Sequence, residues 1–297
     1  MIIYFITMKK KHLMLCLTAM AACMSCEQAL LPESEEQEKA VLKVRVESLE
    51  QVGFAESRAG GGLGDYCTKM SFVLFDDKGE KAVTVNQEAT DATFGSASMN
   101  VPFGNYHLLV IGHSGEKNCT VKSTGGVTFD RASDVTDTFW YYGEVSFTES
   151  TKDIVLSLKR VVAKMELTCL DNLPSNVRKV ALKYGQATGT LDIQTGYGMT
   201  KTTITKEIEI TDDLYGQSQT FSFYIFPQED EITINVTLKA YDENGTEVGG
   251  KELKDVPMRQ NAITRYRGEF FGKSVGVKAN VQAEWTTIDF NPSSNNS

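Results

Sequence analysis

The feature that most constrains the fold of this chain is its apolar periodicity, which is two almost everywhere that it is regular. Leu42, Val44 and Val46 interleave with Lys43, Arg45 and Glu47. Such spacing puts alternate side chains on opposite faces of a strand and is incompatible with an apolar stripe along a helix. MSFVLFDDKGEKAVTV reads as two strands around a turn at Asp77 to Gly79. TINVTLKAYDENGTEV repeats the device around Asn244 and Gly245, a strong short hairpin signal. NYHLLVIGH and DIVLSLK read as further strands. With 24 glycines, only six prolines, many turn signals and no long helical periodicity, the sequence predicts an all-β protein made of sandwiches.

One strand region predicts where the chain divides. In DIVLSLKRVVAKMEL the apolar set occupies Ile154, Leu156 and Leu158, then switches to Val161, Ala163, Met165 and Leu167. A one-residue slip sends every following side chain to the other face, so a continuous strand needs a bulge or a change of partner there. Lys159 and Arg160 therefore mark an expected crossing between an N-terminal sandwich, residues 40–160, and a C-terminal one, residues 161–297. Each piece has an ordinary domain size of roughly 120 to 140 residues.

The segment VGVKANVQAEW carries the longest alternation, with Val275, Val277, Ala279, Val281, Ala283 and Trp285 on one face. It exceeds the usual strand of about 5 to 6 residues. Two readings stand: a long final strand of the second sandwich, or a segment able to add itself to another molecule's open sheet edge.

The N-terminus has the order of a secretory signal. Lys9 to Lys11 precede a short apolar run from Leu13 to Ala22, and small residues beside cysteines follow. The run is too short for a transmembrane helix, which needs about 20 apolar residues. A signal ending at a cysteine resembles a bacterial lipoprotein signal, in which that cysteine is acylated. Cys26, before Glu27, is the preferred acceptor and Cys23, after Ala21 and Ala22, the alternative. An acyl chain would hold the protein on a membrane surface rather than through it. Residues 1–25 are thus assigned to the signal, and 26–39, polar and acid-rich, to a flexible tether.

Removing the signal takes away three of the 30 basic residues and no acid, leaving 27 against 39 and a formal charge of −12. Such a surface argues against a nucleic-acid partner, because phosphate binding needs clustered lysine and arginine. Cys67, Cys119 and Cys169 have no CxxC spacing and read as small buried residues, although a bridge between two of them stays open. His12, His107 and His113 form no zinc pattern. The sequence contains no GxSxG, P-loop or HExxH motif. Asp76 with Asp77, and Asp212 with Asp213, fall in turn-like sequence where acids are ordinary. No enzyme activity, metal or cofactor is expected.

Two stretches remain ambiguous on local chemistry. TFWYYG, Phe139 to Tyr142, is either a sugar-stacking platform offering Trp140, Tyr141 or Tyr142, or a strand that divides its rings between two faces with one pair buried. FAESRAGGG, residues 54–62, sets Arg58 and Ala59 before three glycines. It is either a solvated loop or an accessible place for proteolysis.

A series of blocks in order resolves this further: SRAG after an early strand, YCTKMSFVLFD, VPFGNYHLLVIGH, TDTFWYYG, LKRVVAKMEL, LDIQTGYG, FYIFPQ and DVPMRQNAITRYRGEFF. Together these resemble the fimbrial subunits of Bacteroides-type pili, with the nearest likeness to FimB-like subunits of the fimbrillin superfamily. RQNAITRYRGEFF, Arg259 to Phe271, is the most diagnostic block. The resemblance implies two tandem transthyretin-like β-sandwich domains after the lipoprotein signal. It implies a non-enzymatic subunit of a surface fimbria, in a stalk, tip or anchor position on the outer membrane. Its partners would be other subunits, the membrane through the acyl anchor, and surface ligands. In polymerising members an arginine-specific protease cuts after the first strand, and another subunit's C-terminal strand fills the groove. Here Leu42, Val44 and Val46 would be the displaced strand, Arg58 and Ala59 the cut, and Val275 to Trp285 the donor. A non-polymerising surface lipoprotein that binds glycans is the alternative.

Overall fold

The computed structural model describes residues 38–50, 62–123, 125–271 and 286–289. It is built of strands, with three single-turn 3-10 helices and no helix, among the described residues, long and apolar enough to cross a membrane. The expected all-β class is what is observed.

The first half contains β1 (Lys39–Glu50), β2 (Lys69–Phe75), β3 (Lys81–Glu88), β4 (Ser96–Pro102), β5 (Gly104–His113), β6 (Thr120–Val121), β7 (Gly126–Thr128), β8 (Thr138–Phe147) and β9 (Asp153–Arg160). The second contains β10 (Ala163–Cys169), β11 (Lys179–Ala187), β12 (Thr190–Asp192), β13 (Thr202–Glu209), β14 (Thr220–Ile225), β15 (Glu231–Tyr241), β16 (Glu247–Arg259), β17 (Ala262–Gly268) and β18 (Thr286–Asp289). The hairpins read from the sequence are present: β2 pairs with β3 around Gly79, and β15 with β16 around Gly245, both glycines having positive φ. Only glycine adopts that backbone at little cost.

The strand order in the first half is β3-β2-β5-β8-β9-β1-β4. Only two residue pairs, Phe139 with Arg160 and Trp140 with Lys159, join β8 to β9. This ribbon therefore folds over at that seam, with a core between its layers. Leu42, Val44, Met99, Val101 and Leu158 come from one layer; Met70, Phe72, Leu74, Leu108, Val110 and Phe139 come from the other. The second half repeats the order in two sheets, β13-β11-β15-β16 and β14-β10-β17-β18. In both halves the first strand lies between an antiparallel neighbour and a parallel one: β1 between β4 and β9, β10 between β14 and β17. The second core holds Met165, Leu182, Tyr184, Phe223, Val236 and Met258, with Tyr184 and Phe223 stacked at 3.9 Å.

A third core was not expected from the sequence. Val73, Phe75, Leu109 and Ile111, on the outer face of β2 and β5, pack with Val161, Val162, Leu191, Ile193 and Phe226 of the second half. The layer carrying β2 and β5 is thus buried on both faces, and that is why SFVLF and LLVI are continuous apolar runs while ASMNV in β4 alternates. A small sheet, β12-β7-β6, completes the joint by pairing Thr190–Asp192 with Gly126–Thr128.

Candidate functional site

Two places in this framework bring chemistry-bearing residues together: the slot that holds β1, and the joint between the halves. Strand β1 alternates because one face meets a core and the other meets water. Leu42, Val44 and Val46 are 0%, 1% and 4% exposed, while Lys43, Arg45 and Glu47 are exposed. Seven of its residues pair with β4 and seven with β9, and the register slips between Val46 and Ser48, where Glu47 makes a bulge. The strand is therefore hydrogen-bonded along both edges while being, among the described residues, the first element in the chain. Nothing described precedes it except Glu38.

The other residues implied in strand exchange fall elsewhere. Arg58 and Ala59, the acceptor candidates Cys26 and Cys23, and the segment from Val275 to Trp285 all lie outside the described residues. The final described strand, β18, follows that last segment and pairs in parallel with β17, Thr286 opposite Ala262.

At the joint, the last residue of β9 is a buried arginine. Arg160 donates from Nε and Nη2 to the two oxygens of Asp137 at 2.8 and 2.9 Å, and from Nη1 to Asn261 Oδ1 at 3.1 Å. Its guanidinium lies 4.7 Å from the Phe139 ring centroid. Asn261, at φ 54°, donates its backbone N–H to Val162 O at 2.9 Å. A planar guanidinium with five N–H groups suits this fork of partners, where a lysine would not. The phase switch read from the sequence falls here: Leu156, Leu158, Arg160, Val161, Val162, Ala163 and Met165 are all buried, in succession against different cores.

The aromatic run divides as a strand must, and each face meets a core. Phe139 and Tyr141 pack into the first core, Trp140 and Tyr142 against the third. Trp140 donates its indole N–H to Ile193 O at 2.9 Å. Gly196, at φ +71°, lies so near the ring that a Cβ there would come within 3.2 Å of it. Trp140 therefore belongs to the joint and not to an open platform. Tyr142 is half-exposed and stacks on His107, centroids 5.6 Å apart and planes 15° apart. A cavity of about 420 Å³ beside them is lined by Asp76, Asp77, Lys78, His107, Tyr142 and Gln194, among others.

The buried titratable groups look inert. Burial pushes the Cys119 thiol up to about 11 and Cys169 up to about 12, so neither is a thiolate at neutral pH. The described cysteines Cys67, Cys119 and Cys169 are free and buried. Burial, with a smaller effect of Lys69, pulls His113 down to about 4, keeping it neutral. Its Nδ1 accepts the Gly115 N–H at 3.1 Å. Among the described residues no group of three or more histidine, cysteine or acidic side chains is placed to hold a metal ion. Asp76 gives one carboxylate oxygen to the turn, accepting from the N–H groups of Lys78 and Glu80.

Sequence reasoning missed Asp137, Asn261 and Gln194 as joint and cleft residues. Their signal lay in blocks already noticed: TDTFWYYG, RQNAITRYRGEFF and LDIQTGYG are the segments that meet at the joint.

Comparison with known proteins agrees with this architecture. A putative adhesin from Bacteroides ovatus is similar over 83% of this chain and 96% of its own, with 13% identity and a TM-score of 0.53. A second, from Bacteroides ovatus ATCC 8483, is similar over 84% and 93%, with 13% identity and a TM-score of 0.50. A fimbrial assembly protein from Parabacteroides distasonis ATCC 8503 aligns over 79% and 92%, with 12% identity and a TM-score of 0.43. At such identities the first two likenesses establish a shared fold. No curated protein matches the sequence. Residues 118–295, more than half of the chain and including strands β10 to β18, match a family described only as of unknown function, DUF6562, and the protein belongs to that family.

Proposed function

We propose that this protein is a structural subunit of a cell-surface fimbria, exported as an outer-membrane lipoprotein and assembled by exchange of its first strand. The single observation that carries the reading is the position of β1. It fills a slot between β4 and β9, with Leu42, Val44 and Val46 as buried knobs. Loss of this strand would leave two rows of unpaired backbone groups and an apolar groove, both costly until another strand arrives. Each fully buried Val or Leu contributes about 1.5 to 3 kcal/mol, so a replacement with the same alternation would be held firmly.

Support also comes from the ordered sequence blocks that resemble fimbrial subunits and from the fold shared with the two Bacteroides ovatus structures. The reading includes Cys26, or else Cys23, as the acylated residue, a cut between Arg58 and Ala59, and Val275 to Trp285 as the donor. It includes two sandwich domains dividing at residues 160 and 161. It assigns no catalytic role to any residue.

The test is the N-terminal residue and intact mass of the protein recovered from the native cell surface. A lipid-free chain beginning at Ala59, found in oligomers that resist mild denaturation and lost in Arg58→Ala, is the expected result. A lipidated chain beginning at Cys26 or Cys23, with no oligomers, would exclude strand exchange.

A further inference from the structure

We propose that the cleft beside Tyr142 and His107 is a binding site for a neutral saccharide. The inference is separate from strand exchange, because none of the residues involved lies in β1 or in the segment from Val275 to Trp285.

The cleft has a wall of each kind that a sugar needs. One is aromatic: the rings of His107 and Tyr142 stack at 5.6 Å and both line the cavity. A pyranose presents an apolar C–H face that packs on such rings, while its rim of hydroxyls seeks polar partners. The other wall is polar, made by Asp76, Asp77, Lys78, Ser123 and Gln194. Asp76 is engaged by its own turn and Gln194 is hydrogen-bonded to Tyr142, which leaves the Asp77 carboxylate to accept from neighbouring hydroxyls through two atoms at once and fix orientation. The volume, about 420 Å³, falls in the range of small-ligand pockets.

The construction of the cleft also fits a preformed site. Asp76 and Asp77 stand on the tight β2–β3 turn, which Asp76 itself pins. His107 and Tyr142 stand on paired central strands, β5 and β8. Gln194 comes from the second half, held by Asp192, whose carboxylate accepts its backbone N–H at 2.9 Å. Side chains carried by rigid, separately anchored elements lose little freedom on binding. The joint thus gives the cleft one wall that neither half has alone.

Charge selects among saccharides. Asp76 and Asp77 line the cleft, and Glu144 sits 3.8 Å from His107 Nε2, against one lysine, Lys78, among the described lining residues. A sialylated or uronic sugar would bring a carboxylate toward this acidic rim, where like charges repel. A neutral hexose disaccharide meets no such cost.

The experiment titrates lactose, maltose and cellobiose into the full chain, with sialyllactose as the anionic comparator, and follows saturation-transfer NMR and tyrosine and tryptophan fluorescence. At least one neutral disaccharide is expected to bind with Kd of about 1 mM or tighter, a common strength for shallow polar sites at roughly −4 kcal/mol. Tyr142→Ala and Asp77→Asn should each weaken it by about tenfold or more, equivalent to roughly 1.4 kcal/mol. Asp77 is exposed on a turn, so its variant keeps the fold and serves as the check if Tyr142→Ala does not. No transfer from any of the three, undiminished binding in the Asp77 variant, or equal binding of sialyllactose would overturn the proposal. A failure here leaves the Ala59 terminus unaffected, so the two readings fall separately.

Discussion

Arg160 and His113 show how single buried residues set the behaviour of this protein. Arg160 is 3% exposed and satisfied by Asp137, Asn261 and the Phe139 ring. Removing one partner of a buried ion pair leaves the other charged and unsolvated. Arg160→Met is therefore expected to destabilise by about 3–5 kcal/mol, read from the urea midpoint. Because the pair's own desolvation is large, replacing Arg160 and Asp137 together by apolar residues should cost much less than the single change. His113 is fully buried and held down to about 4 by burial. Its ordinary value is near 6.5, so below that pH the unfolded chain binds a proton that the folded chain refuses. Stability should fall as pH drops from about 6.5 to 4, by about 3 kcal/mol from this residue, and level off below. His113→Leu should flatten that part of the pH–stability curve measured by chemical denaturation, and an unchanged slope would assign it to other groups.

Among the elements, β1 and the turn after β12 bear the most. Leu42 is fully buried on β1, opposite Met99 of β4. Leu42→Ala should cost about 2–5 kcal/mol, while Val41→Ala, on the exposed face, should cost little. A comparable loss in both would mean that β1 is not held in this register. The 191–198 segment depends on close backbone approach. A Cβ at Gly198 would come within 2.3 Å of Phe226 O and 2.1 Å of Thr188 Cγ2. Gly198→Ala is expected to lower the thermal midpoint, with a cost of about 1–3 kcal/mol from overpacking. The same change at Gly62, where no atom of the described residues lies within 4 Å, should be nearly silent.

For the whole molecule, the third core ties the two halves thermodynamically. Phe226 is fully buried among Val73, Leu109, Ile111 and Val162 of both halves. Splitting the chain at the crossing would expose the outer face of β2 and β5, a contiguous apolar surface of the kind that aggregates. Calorimetry of the full chain should show one cooperative transition. Phe226→Ala should destabilise by about 3–5 kcal/mol and separate that transition into two, since it weakens the joint without touching the first core. Two independent transitions in the unaltered protein would show that the halves are uncoupled.

The sequence by itself determined the strands, their turns and their inward faces. Leu42, Val44 and Val46 point inward because apolar groups leave water, and that period is visible without any partner. Asn244-Gly245 and Asp77 to Gly79 turn because of local backbone preference. Partners separated by a hundred residues leave no such local mark. Tertiary structure alone decided that β1 runs parallel to β9, that Arg160 is buried rather than solvated, and that Trp140 is capped by Ile193 and Gly196. It also decided that, of the aromatic run, Tyr142 lines a cleft with Asp76, Asp77 and Gln194. The physical reason is that period and turn chemistry are carried by neighbouring residues, whereas a joint is carried by surfaces from strands far apart in the chain.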